Sequence, residues 1–366
     1  MSRGLTLDTP VIAWALLMIG ILASASAWRD RHPDTTADFT ILYVSAQHTS
    51  EKMFDPLPGH RENMNPPLFQ LMMRPLTLFP LPVAAAIFRA LGVAALCACV
   101  YWLARTSEER WTPADYGALL AWAPMASVIS LNQVTWILWP LLLWTWWCWR
   151  QDRWSAGSVG YGLALGLKPF LGVFLLWLLI TRRWRAAMVS IGVAALSFAI
   201  GVGAYGIDVS RAWIEALADV TWTYAPMNAS LHGILGRAMT TAPADLSRPL
   251  PLPALAGLIA IAGSVVIVIV TLVRTRRQHI DRSWLPLMAS ALLASPLGWL
   301  YYIWWVLPGG RPSRLLLESP LLWIPMIVTV ASEPSGWRTV TLGSIYFWGL
   351  LILWVRRISV AERVRV

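Results

Sequence analysis

Between Pro10 and Val355, apolar runs approaching bilayer-crossing length follow one another, and most of the charge is confined to the stretches between them. Backbone amides inside hydrocarbon have no water to bond, so such runs must close their hydrogen bonds internally as helices. With about 20 apolar residues per crossing, the runs fall at 10–28, 82–104, 114–131, 134–149, 155–167, 169–180, 186–206, 252–273, 284–294, 301–308, 315–330 and 339–355. The pattern predicts an all-α integral membrane protein, a single polytopic domain over 1–366 with about 10–12 transmembrane helices. It has a first outer loop at 29–81, a second large outer loop at 207–250 and a short cytoplasmic tail at 356–366.

The charges orient this framework. With the N-terminus inside, eighteen arginines and eight acids fall on the inner side, so the whole formal excess of +10 lies there and the outer side balances. Arginine bias toward one face is a topology signal. It also removes nucleic acid as the partner implied by a basic chain, because the arginines are dispersed in short turns and form no patch. Arg3, the run 11–22 and the small residues 23–27 also fit a cleaved secretory leader. Either way, the segment after them faces outward. The 24 tryptophans fit an interfacial belt. Cys97, Cys99 and Cys148 lie inside apolar runs with neither metal-ligand nor disulfide spacing.

Against this background the polar segment 28–67, with six carboxylates, stands out as a site. Asp38 opens a short stretch in which Phe39, Leu42, Tyr43 and Ala46 recur at helical spacing, predicting a helix along the outer interface. Asp38 reads either as an N-cap or as a catalytic base, with Asp34 as the next candidate base. A second interfacial helix is expected around 66–76, framed by prolines. Lys168 lies between arginine clusters at 150–153 and 182–185, so the hairpin places it at the outer tip, as an anion-binding group or a headgroup-seeking lysine. Asn228, Ser230, His232 and Arg237 form a row of hydrogen-bonding groups in the second outer loop. Trp299, Tyr301 and Tyr302 follow a Pro/Gly break and serve either as a sugar platform or as belt residues. No second His or paired carboxylate accompanies His232, so no metal and no cofactor is expected. Mid-membrane ionisable groups of the kind a transporter or lipid flippase needs are not evident.

Taken in order, these features form a pattern. They are Asp38-Phe39, Pro66-Pro67 with Arg74-Pro75-Leu76, Gly166-Leu167-Lys168-Pro169, Asn228-Ala229-Ser230-Leu231 with Arg237, and Ser295-Pro296 with Trp299. Over nearly its whole length the chain resembles glycosyltransferase family 87, the polyprenol-phosphate-mannose-dependent mannosyltransferases of the GT-C superfamily. The resemblance implies a GT-C type bundle with interfacial helices in the first outer loop and a site on the periplasmic or exterior face of a bacterial inner membrane. It also implies an inverting transfer of a hexose, mannose in the first instance, from a polyprenyl-phosphate donor to a hydroxyl on a glycolipid or polysaccharide. Asp38 would be the general base, with Lys168, Asn65, Asn228, Ser230, His232, Arg237, Trp299 and Tyr301 binding substrate. Asn65 stands where the family usually shows an aromatic, and Tyr301 and Tyr302 stand where it often shows a histidine. Both departures bear on the donor sugar and the acceptor, leaving arabinofuranose or glucose as alternative donor sugars.

Overall fold

The computed structural model describes residues 37–55, 63–130, 132–218, 220, 222–239, 252–324 and 337–363. The first expected crossing at 10–28, Asp34, the turn residues Pro58 and Gly59, most of the proline-rich return at 243–253 and the end of the run 315–330 lie outside them.

The described chain is helical, and its only β feature is a bridge between Asn228 and Trp299. In order the helices are α1 (Ala37–Gln47), α2 (Pro67–Met73), α3 (Leu81–Thr106), α4 (Pro113–Leu120), α5 (Ala123–Ser130), α6 (Thr135–Arg150), α7 (Trp154–Leu167) and α8 (Gly172–Ile180). They continue with α9 (Trp184–Tyr205), α10 (Ile207–Ala218), α11 (Leu231–Met239), α12 (Ala254–Thr275), α13 (Ile280–Ala294), α14 (Pro312–Glu318) and α15 (Ile345–Arg363). Short 3-10 segments join them, the longest being Leu300–Gly309. Prolines open α2, α3, α4 and α14, where a missing N–H costs nothing. α15 runs on through the expected tail to Arg363, since no Gly or Pro follows Val355 to stop it.

Two kinds of helix make up this membrane protein. α3, α9, α12 and the terminal segment Trp337–Ser359 are long and apolar enough to cross a bilayer alone, and only 28 % of the apolar window of each of the first three is buried in protein. Between them stand shorter helices that other helices cover. Every residue of α13 from Ser283 to Leu293 is buried. The expected crossing 114–131 is two helices, α4 and α5, broken at Ala121-Trp122. α7 is pressed between α6 and α9, and glycine makes this possible: a Cβ on Gly162 would lie 2.6 Å from the Ser190 carbonyl oxygen. Small residues allow helix backbones to approach in this way where lipid offers no hydrophobic drive for association.

Tryptophan fills much of the space between the short helices. Trp122, Trp139, Trp149, Trp177, Trp284, Trp304 and Trp305 are fully buried, so the belt reading holds only for exposed rings such as Trp184 and Trp337. Trp284 donates its indole N–H to the Trp305 carbonyl at 2.9 Å. The indole nitrogens of Trp122, Trp139, Trp304 and Trp305 have no partner among the described residues.

α1 also departs from expectation. Phe39, Ile41, Leu42, Tyr43, Ser45 and Ala46 are all buried, so the helix is embedded in protein rather than lying along an interface. Phe39 packs on Phe88 of α3, and Tyr43 donates its hydroxyl to the Phe79 carbonyl at 2.8 Å.

One end of the bundle gathers the arginines. Arg150 pairs with Glu108 and Asp281, Arg311 with Asp115 and Glu109, Arg314 with Glu109, and Arg357 with Glu318. All of these residues fall on the same face in the charge sorting above.

Candidate active site

From those arginine-bearing turns α6, α7 and α13 run to the opposite end of the bundle, where Gln133, Lys168 and Ser295 stand at their far termini. There a cavity of about 320 Å³ opens. Its walls include Asp38, Asn65, Gln133, Lys168, Trp222, Trp299, Tyr301 and Tyr302, with aliphatic groups from α1, α7 and α10.

Asp38 stands in the first described turn of α1 and follows a helical residue, Ala37, so it does not occupy the capping position. Gln133 donates a side-chain N–H to its Oδ2. Gln133 is buried and follows Asn132, whose φ of 52° suits the left-handed turn between α5 and α6. Sequence reading treats Asn132-Gln133 as a bare turn, because the partner carboxylate lies far away in the chain.

Lys168 ends α7 immediately before Pro169 and is half-buried. It donates to Asn65 Oδ1 at 2.8 Å and lies 5.7 Å from the centroid of the Tyr302 ring. Asn65 is oriented in turn by Asn63, whose Oδ1 accepts from its backbone N–H at 3.0 Å and its amide at 3.2 Å. Burial brings the Lys168 pKa down to about 8. The lysine thus reaches a neutral amide and an aromatic face.

The aromatic wall is continuous. Trp222 and Trp299 lie nearly parallel with centroids 5.7 Å apart, Trp299 and Tyr301 are 5.9 Å apart, and Tyr301 meets Tyr302 edge-on at 5.0 Å. These rings line the cavity rather than a membrane boundary, and Trp222 is a member that the motif reading did not single out.

Asn228, Ser230, His232 and Arg237 are absent from the walls. Asn228 is a structural hub: its amide donates to the Thr223 and Pro296 carbonyls at 2.8 Å each, and its Oδ1 accepts from the backbone N–H of Ser230 and Gly298. Ser230 caps α11 by accepting from the Gly233 N–H at 3.1 Å. Arg237 is only 5 % exposed and gives its donors to Ser344 Oγ and the carbonyls of Tyr224, Ala225 and Asn228. His232 is buried, with Nδ1 unpartnered among the described residues. Together this group fixes the segment 222–230 against 295–299, reinforced by Ala229 N–H to Gly298 O at 2.7 Å and Leu300 N–H to Met227 O at 2.8 Å. Gly298 is required at this approach, since a Cβ there would collide with the Leu292 carbonyl oxygen. Among the described residues no three His, Cys, Asp or Glu side chains come together as a metal site.

Chemically, the arrangement offers one carboxylate, one ammonium and a set of rings around a space near the lower end of ligand-pocket sizes, about 300–1,000 Å³. A family model for glycosyltransferase family 87 matches residues 63–297. That range holds Asn65, Gln133, Lys168 and the Asn228 hub; Asp38 precedes it, and Trp299 to Tyr302 follow it. No curated protein and no solved structure matches the chain.

Proposed function

This chain belongs to glycosyltransferase family 87, of the GT-C type of membrane glycosyltransferases, and on that premise we propose that it transfers a hexose, mannose in the first instance, from a polyprenyl-phosphate donor. The acceptor is a hydroxyl of a glycolipid or polysaccharide, the reaction inverts the anomeric centre, and the site opens on the extracytoplasmic face of a bacterial inner membrane. The observation that carries the reading is the meeting of Asp38 and Lys168 in one aromatic-lined cavity at the end opposite the arginines. The cavity has room for a sugar and its phosphate, while a polyprenyl tail would stay among the lipids.

In this reading the acceptor oxygen attacks the anomeric carbon, its proton passes to Asp38, and the carbon–oxygen bond to phosphate breaks with its electron pair leaving on the phosphate. A carboxylate suits the base because it also steadies the positive charge that develops at the sugar carbon. Lys168 offsets the charge that accumulates on the phosphate. Asn228, Ser230 and Arg237 serve by holding the Trp299 wall in place, which replaces the direct substrate contact expected of them from sequence.

Incubating the purified protein with labelled polyprenyl-phosphate mannose, glucose and arabinofuranose, and following sugar release, identifies the donor. Asp38→Asn is expected to bind the donor and lose turnover. A variant that turns over at the wild-type rate would remove Asp38 from the base role.

A further inference from the structure

One polar group on the cavity wall has no partner in the protein. Tyr302 is 4 % exposed, and its ring is clamped by Phe170, Tyr301 and Trp305 with centroids 4.8–5.3 Å away. Buried phenols ordinarily find an acceptor. The hydroxyls of Tyr43, Tyr161 and Tyr346 do so, on the carbonyls of Phe79, Leu171 and Ile324. The Tyr302 hydroxyl makes no hydrogen bond with any described residue. Its oxygen is also not among the side-chain atoms sealed in protein without a partner, a group that includes the Tyr205 hydroxyl. It therefore opens into the cavity it lines. Lys168 lies over the face of the same ring, and Asp38 lines the same cavity.

We infer that the Tyr302 hydroxyl is a substrate-contacting donor that, beside Lys168, holds the phosphate of the lipid-linked sugar. The inference deepens the transferase reading and rests on it. A phosphate presents several acceptor oxygens. Lys168 has given one N–H to Asn65 and keeps two others, and Tyr302 supplies a neutral donor from the ring under the ammonium. As the bond from the anomeric carbon to phosphate breaks, the electron pair moves onto the phosphate and both hydrogen bonds strengthen. Tyr302 keeps its proton, and the one proton transferred goes from acceptor to Asp38. The two tyrosines thus divide the work: Tyr301 extends the ring wall and Tyr302 reaches the phosphate.

Tyr302→Phe removes one oxygen and leaves the ring under Lys168. Binding of decaprenyl phosphate, without sugar, to the full-length protein in lipid nanodiscs is the direct readout, alongside donor and acceptor kinetics. The expected result is a loss of decaprenyl phosphate affinity of about tenfold, a fall in kcat, and an unchanged acceptor KM. Unchanged decaprenyl phosphate binding and kcat in Tyr302→Phe, with the wild type binding normally, overturns the inference while leaving the transferase reading intact. A change confined to acceptor KM overturns it as well, by moving the hydroxyl to the acceptor. A wild type that binds no polyprenyl phosphate and releases no sugar ends both.

Discussion

At the arginine-bearing end Asp115 and Arg311 bond each other directly, with Ser313 and Thr112 completing the carboxylate's shell. At the cavity end Asp38 and Lys168 share one space, yet each bonds a neutral amide, Gln133 or Asn65. A direct pair spends its charge on the fold, since removing Arg311 would strand the buried Asp115 carboxylate. At Lys168 the amide of Asn65 fixes the direction of the ammonium without cancelling it, so that field stays available to a ligand. The contrast separates a clasp from a site even though both are built from one acid and one base.

Substitutions at the two ends should therefore fail in different ways. The largest effect is expected for Asp38→Asn, with turnover down about 10³-fold and the thermal midpoint near that of wild type. Steady-state kinetics and a melting curve on one preparation check this, and a strongly destabilised variant would make Asp38 another clasp. Asp115→Ala should do the reverse, costing about 2 kcal/mol of stability through the lost bonds to Arg311, Ser313 and Thr112 while the molecules that remain folded keep their kcat. Denaturant titration in detergent reads the first part, and activity per folded molecule the second.

Lys168→Gln should weaken donor binding about 10- to 100-fold with little change in melting. Because burial places the Lys168 pKa near 8, wild-type kcat/KM for the donor should decline as pH rises through about 8, where the ammonium loses its proton. In Lys168→Arg the decline should move to higher pH, because a guanidinium stays charged there. An unmoved limb assigns the titration to another group. The smallest effect is expected for Arg211→Ala, which breaks an exposed pair with Asp208 near the cavity end. It should change stability by no more than about 0.5 kcal/mol and leave kinetics alone.

The bundle was legible where length and punctuation agree. α3, α9 and α12 lie within a few residues of their predicted runs, because a crossing helix must be long, apolar and bounded by Pro, Gly or charge. The place of Lys168, at the end opposite the arginines, was legible from the arginines on either side of its hairpin. Arg237 was not: a cation after a row of small polar residues reads as an anion clamp, but its partners are the distant Ser344 hydroxyl and three backbone carbonyls, and carbonyls leave no mark in sequence. The same holds for Asn228, whose four bonds are all to main chain. Gln133 escaped for the opposite reason, and Tyr302 was read for its ring and not for its hydroxyl. Their importance lies in one long-range neighbour and in one missing neighbour, and only coordinates reveal either. The tryptophans were misread because lipid boundary and helix interior select the same amphipathic ring.

The seam between Asn228 and Trp299 also sets an order of events during synthesis. The wall it closes joins two stretches that enter the membrane at different times, and the carboxylate on α1 emerges long before either. A nascent chain halted before the Ser295–Trp299 segment would carry Asp38 and Lys168 without the wall that completes their cavity, so the cavity closes only once that late segment has been threaded in.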